Sequence, residues 1–182
     1  MMSAAFQSEQ RASMTISSEE LRYVMRSWST GVSLVSSHHD GLRHGMTVSA
    51  FTSVSLEPPL VLISLERITR TRRLVDASGH FAVSILAADQ RELSDRFAGR
   101  IPDDGDRFEG IATRDTPSGC PVPHDSLAFL DCQVTTTYEG GTHTIFLGEV
   151  LAAEVLRQAP PLLYFNQDYR SLLDPEGEPP RR

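Results

Sequence analysis

The chain has 182 residues, 40% of them hydrophobic and 23% charged, with a formal net charge of -7. That size and composition fit one folded domain with a sizeable core. The negative balance argues against binding to a phosphate backbone, which needs a concentrated basic face, and no run of 18 apolar residues suggests a membrane span.

In chain order, residues 1–17 are polar and read as a flexible N-terminus without an apolar signal core, so a cytoplasmic protein is expected. Ser17 and Glu20 have capping-box spacing, and Leu21, Val24, Met25 and Trp28 follow at helical intervals. The spacing predicts a helix that packs this face on the core and ends at Gly31. Val32 to Ser36 reads as a strand, Asp40-Gly41 as a hairpin turn, and Gly45 to Val54 as one returning strand. Leu60 to Leu65 reads as a buried strand after Pro58-Pro59.

Thr69 to Ala77 reads as a helix with Thr69 as cap, Leu74 and Val75 inward and Gly79 as stop. His80 to Leu86 is a further strand. Asp89 and Glu92 suggest a second capping box opening a helix that ends at Gly99. Arg100 to Asp125 is rich in Pro, Gly and Asp and reads as loop. Leu127 to Tyr138 and Thr142 to Val155 form a long hairpin about Gly140-Gly141, and Leu162 to Phe165 is a last short strand. Residues 173–182 read as a flexible tail, leaving a single domain over 18–172. Many strands with few short helices suggest a closed or nearly closed barrel.

The chemistry-bearing residues exclude several enzyme classes. All 17 basic residues are arginine, which rules out a lysine Schiff base and a Walker A loop. Neither G-x-G-x-x-G nor G-x-S-x-G occurs. The six histidines and two cysteines show no zinc spacing, and Cys120 and Cys132 read as buried thiols.

Four stretches remain. In His44-Gly45-Met46-Thr47-Val48-Ser49-Ala50-Phe51-Thr52-Ser53-Val54-Ser55, Thr47, Ser49, Ser53 and Ser55 share one strand parity. This is either an ordinary solvated face or a row of hydroxyls and backbone amides against a planar polar ligand. Ser64 to Thr71 runs from a strand end into a helix start bearing Arg70 and Thr71, a plausible phosphate seat as well as an ordinary cap. Arg96-Phe97-Ala98-Gly99-Arg100 closes a helix, and His143 opens an apolar strand.

Taken in order with Gly31-Val32, Pro58-Pro59-Leu60-Val61, Phe81-Ala82-Val83 and His143 to Val150, these motifs closely resemble the short-chain flavin reductase family. Its members are reductase components of two-component flavin-dependent monooxygenases. The resemblance spans Leu21 to Arg170.

It implies a mainly β protein with short helices, the FMN-binding split β-barrel, working as a homodimer. It implies an NAD(P)H:flavin oxidoreductase that reduces FMN or FAD with NADH or NADPH for a partner monooxygenase, with no nucleic acid or membrane as partner and no metal. By resemblance, Thr47, Val48, Ser49 and Ala50 line the flavin ring largely through backbone, with Ser53, Val54, Ser64 and Leu65 beside it. Arg70 and Thr71 hold the phosphate, Phe97 and Arg100 are flavin neighbours, His143 approaches the nicotinamide, and Tyr169 with Arg170 closes the pocket. Many relatives carry asparagine where this chain has Val48, so only a backbone contact would survive there. The rival readings are an FMN-bound oxidase or dehydrogenase on a similar barrel and a non-enzymatic flavin- or haem-binding module.

Overall fold

A computed structural model describes residues 15–101 and 105–172. The expected flexible tail at 173–182, most of the expected flexible N-terminus and part of the loop after Arg100 lie outside the described residues.

Helix α1, Ser18–Met25, opens with the expected capping box: the Ser17 amide donates to Glu20 Oε2 at 2.8 Å and the Glu20 amide donates to Ser17 Oγ at 3.2 Å. Its apolar residues do not face the core of this chain. Leu21, Val24, Met25 and Trp28 are all at least half exposed. The helix stops at Met25, where the Arg26 amide turns back to Tyr23, so Gly31 is not its end. Gly31 lies instead in strand β1 (Thr30–Gly31), paired with Leu163.

Strands β2 (Ser33–His39) and β3 (Leu42–Val48) are joined by Asp40 and Gly41, with φ of 49° and 75°. Two successive positive φ values suit the right-handed twist of a tight hairpin. The strand expected over Gly45 to Val54 is two strands. β3 ends at Val48, the chain turns through Ser49-Ala50, and β4 (Phe51–Leu56) runs beside β5 (Pro59–Glu66). The parity counted across this stretch therefore does not carry through it.

Helix α2 (Arg70–Ser78) is capped by Thr69 and ended by Gly79 at φ 72°, as its local sequence requires. Val75 is buried, and Leu74 is half-buried. After β6 (His80–Ile85) comes α3 (Arg91–Phe97), where the expected capping box is absent. Gln90 takes the cap position, and Asp89 is drawn away to Arg157, whose Nη1 donates to it at 2.9 Å. The stretch expected as loop contains a two-stranded ribbon, β7 (Thr113–Asp115) with β8 (Pro121–Pro123). β9 (Ala128–Gly140) and β10 (His143–Val155) form the long hairpin. β11 (Leu163–Phe165) then turns at once into β12 (Asp168–Arg170).

The main sheet has the order β3-β2-β6-β9-β10-β5-β4. Its outermost strands, β3 and β4, are consecutive in the chain. A flat sheet of that order would hold them roughly 29 Å apart, six spacings of ~4.8 Å. The three Cα steps from Val48 to Phe51 reach at most ~11 Å. The sheet must therefore curl into a barrel split between β3 and β4. Its interior holds Val35, Ile63, Leu65, Val75, Phe81 and Phe146, all fully buried. Closure is tight: a Cβ on Gly148 would stand 2.6 Å from the Phe81 ring.

Candidate active site

The split leaves β3 as an edge strand, so half of its backbone groups face away from β2. Two helices stand over this edge. The start of α2 approaches His44, whose Nδ1 lies 2.8 Å from Thr71 Oγ1 in a buried contact. Helix α3 approaches Thr47, whose hydroxyl donates to the Ser94 carbonyl at 2.6 Å. Between them runs a groove of about 360 Å³ lined by Met46, Thr47, Glu66, Arg70, Thr71 and Phe97, among others.

Thr47 and Ala98 also line an adjoining hollow of about 160 Å³ with Ser49, Arg100, Tyr164 and Tyr169. Ser49 continues into a third hollow with Ala50, Phe51 and Trp28. Thr47 and Ser49 thus link three depressions along the split.

One end of this path is a fixed polar cluster. The Tyr169 hydroxyl lies 2.8 Å from Ser94 Oγ and 2.9 Å from Asp95 Oδ1. Having one proton, it donates to the carboxylate and accepts from the serine. Arg100 donates to the same Asp95 oxygen at 2.8 Å. The guanidinium carbons of Arg91 and Arg100 lie 4.9 and 5.5 Å from the centre of the Tyr169 ring. Burial pushes the Tyr169 phenol above its ordinary pKa, and the Asp95 carboxylate adds to that.

The other end is cationic. Arg70 and Thr71 share the first turn of α2, where amide groups point outward and favour anions. Arg107 closes the groove from a loop, donating to the Phe97 carbonyl at 2.9 Å.

The expected site residues separate into groups. Thr47, Arg70, Thr71 and Phe97 line the groove, and Thr47, Ser49, Arg100 and Tyr169 line the adjoining hollow. Val48 and Leu65 point their side chains into the barrel core, leaving only backbone for a ligand. Ser64 sits behind the turn, its amide donating to the Ala50 carbonyl at 3.1 Å. Ser53 and Val54 are exposed on β4 and line none of these hollows. Phe97 is buried, its ring 4.7 Å from that of Phe108. His143 is at the rim, paired in register with the groove residue Glu66, and its Nδ1 lies 3.0 Å from Thr142 Oγ1. Arg170 is exposed and ion-paired with Asp168.

Sequence reasoning placed His44 in the polar stretch without giving it a role, and missed Ser94, Asp95 and Arg107. His44 alternates with Met46 on β3, a parity that would have flagged it. Nothing local marks the others.

Residues 25–173 match the family model described as "Flavin reductase like domain". The chain is 34% identical to the reductase subunit HsaB of a flavin-dependent monooxygenase from Mycobacterium tuberculosis, over 92% of this chain and 89% of that one. Its fold superposes with a TM-score of 0.81 on nitrilotriacetate monooxygenase component B from Mycobacterium thermoresistibile, 34% identical, covering 90% of each chain. It superposes at 0.79 on the NADH:FAD oxidoreductase SgcE6 of Streptomyces globisporus, solved with NAD and FAD fragments, at 35% identity over 88% of this chain and 94% of that one.

Proposed function

The chain belongs to the flavin reductase like domain family, and we propose that it is an oxidoreductase passing hydride from NADH to a free flavin for use by a partner monooxygenase. The observation that carries this reading is the groove along the split, with cationic Arg70 beside Thr71 at a helix start and, from Thr47, a strand edge that runs into the Ser49-Ala50 turn. A flavin needs both: one end anionic, the other planar with polar edges.

The flavin supplies the chemistry, accepting hydride at its N5 from the nicotinamide C4. The protein's share is positioning. Backbone amides of Ser49 and Ala50 would donate to the ring edge where negative charge develops. Thr47, clamped to Ser94, holds the edge strand at a set distance from α3. Arg100 and Tyr169 wall one side, and His143 would orient the nicotinamide from the rim. Val48 and Leu65 would contribute backbone alone.

Ser53 and Val54 enter this reading through a second copy. The exposed apolar residues of α1, with Val54 and Leu56 on β4, form surface that a homodimer would cover. The same pairing could bring β4 of one protomer to the groove of its partner. No helix among the described residues is long and apolar enough to cross a membrane. A cytoplasmic setting, where reduced nicotinamide nucleotide is available, completes the proposal.

The test is NADH oxidation with and without added free FMN or FAD. Oxidation that depends on added flavin and saturates with it supports the reading. Failure with either flavin and with both NADH and NADPH overturns it in favour of a binding module. A flavin retained through purification and unresponsive to free flavin would point to a flavin-bound oxidase or dehydrogenase.

A further inference from the structure

Asp95 carries its charge where its own helix disfavours it. It lies in the last turn of α3 (Arg91–Phe97), and the C-terminal end of a helix works against a carboxylate. Two donors from outside the helix converge on one of its oxygens. Arg100 Nη1 donates to Asp95 Oδ1 at 2.8 Å, and the Tyr169 hydroxyl donates to the same atom at 2.9 Å. The Asp95 side chain is 24% exposed against 48% for Arg100, so the carboxylate is the better buried partner of the pair.

The other contacts of Arg100 do not fix it. The residue follows the helix stop at Gly99, where φ is 72°. Its Nη1 lies 3.5 Å from the Tyr169 hydroxyl and its Nη2 3.4 Å from that of Tyr164, both at the long end of the hydrogen-bonding range. Its guanidinium carbon stands 5.9 and 5.5 Å from the centres of the two rings, contacts that are weak at an exposed site. The contact with Asp95 is the short and charge-assisted one, and it decides where the guanidinium stands.

That place matters because Arg100, Tyr164 and Tyr169 line the hollow that opens from Thr47 and Ser49, whereas Asp95 does not line it. Asp95 therefore reaches the site through its partners. The preceding residue ties the same point to the barrel edge: the Ser94 carbonyl accepts from the Thr47 hydroxyl, and Ser94 Oγ lies 2.8 Å from that of Tyr169.

We propose that Asp95 is a positioning residue for hydride transfer, acting through Arg100, whose guanidinium it holds as a fixed wall of the hollow beside Thr47 and Ser49. The inference rests on the flavin reading of the groove. A wall that cannot swing keeps a planar ligand from sliding along the strand edge and so keeps the two reacting rings aligned. Alignment is felt in the chemical step more than in binding, so Asp95 should control kcat rather than KM.

The test is NADH oxidation with saturating free flavin, and flavin binding by fluorescence titration, in Asp95→Asn, Arg100→Gln and the double variant of the full chain. Asp95→Asn keeps the shape and gives up the charge that holds Arg100. It is expected to lower kcat about tenfold with little change in the KM for NADH. Arg100→Gln, which shortens a half-exposed side chain, is expected to do the same and gives a second reading should Asp95→Asn not fold. The double variant is expected to be no worse than Arg100→Gln alone.

Losses that multiply in the double variant would overturn the proposal, as would full kcat in Arg100→Gln. So would an Asp95→Asn protein with a lowered urea midpoint whose kcat per bound flavin is unchanged, since that is a purely structural role. If the unsubstituted chain oxidises NADH with neither flavin, the flavin reading itself fails and this inference falls with it. If it turns over and the variants match it, only the inference fails.

Discussion

His44 Nδ1 and Thr71 Oγ1 lie 2.8 Å apart in a buried contact that ties the exposed edge of the barrel to the first turn of α2. One residue comes from a hairpin strand and the other from a helix 27 positions later. Their contact sets the width of the groove, because Met46 and Thr47 follow His44 along one wall while Arg70 precedes Thr71 on the other. Thr71→Val keeps the shape and removes the hydroxyl. It is expected to destabilise the fold by about 1–3 kcal/mol, the cost of withdrawing a partner from a buried polar group. It should also weaken FMN and FAD alike. Urea unfolding and flavin titration of the same variant check both effects.

Gly148 lies where β10 crosses Phe81. A Cβ there would meet Phe81 Cε1 and Cζ at 2.6 Å and Cys132 Cβ at 3.2 Å. Phe81 is fully buried and has no room to retreat. Gly148→Ala is expected to cost about 1–3 kcal/mol by overpacking. Adding Phe81→Leu should recover part of that loss, and thermal melts of the single and double variants would show it. Additive losses would mean that the two sites are not in conflict.

Tyr169→Phe removes the hydroxyl shared between Ser94 and Asp95 while keeping the ring between Arg91 and Arg100. A stability loss of about 1 kcal/mol is expected, since Asp95 retains Arg100. Tyr169→Ala also deletes the buried ring and should cost about 3 kcal/mol or more. Comparing the two by urea unfolding separates the hydroxyl from the packing.

His143→Ala is expected to raise the KM for NADH several-fold with little change in flavin affinity. His143 sits at the rim beside Glu66 and is not among the residues lining the groove. Stopped-flow reduction and flavin titration give the two quantities, and an equal loss in both would argue against a nicotinamide role.

Cys120 and Cys132 are free and buried. Burial pushes both thiols up, that of Cys132 to about 12 from an ordinary 9.0. A thiol whose folded pKa is raised favours the fold fully below its unfolded value. That contribution is lost as pH rises, here from about 9 toward about 12 for Cys132. Stability should therefore fall across that alkaline window, and fall less in Cys132→Ala relative to its own neutral value. In the native protein near neutral pH, a thiol reagent should react with neither cysteine until denaturant is added.

Much of the fold was legible because its signals are short-range. Ser17 and Glu20 cap a helix three residues away, Asp40-Gly41 makes its own turn, and Thr69 and Gly79 bracket α2. What misled was local chemistry recruited by a distant partner. Asp89 has the spacing of a capping residue, yet Arg157 lies 68 positions on and takes its carboxylate. Leu21, Val24 and Met25 make a correct amphipathic stripe, but periodicity does not say which surface covers it.

The candidate site divides in the same way. Arg70 and Thr71 at a helix start could be named from adjacent residues, since helix capping acts over a few bonds, whereas Thr47 to Ala50 were named by the order of motifs that resembles the family. The break at Ser49-Ala50, the clamp of Thr47 on Ser94, the contact of His44 with Thr71 and the entry of Arg107 came only with the tertiary structure. Each depends on curling the sheet until β3 and β4 stand at one split. Sequence alone determined most of the elements and the family of this protein. Closure of the barrel decided which side chains face the groove and which, like Val48 and Leu65, are spent on the core.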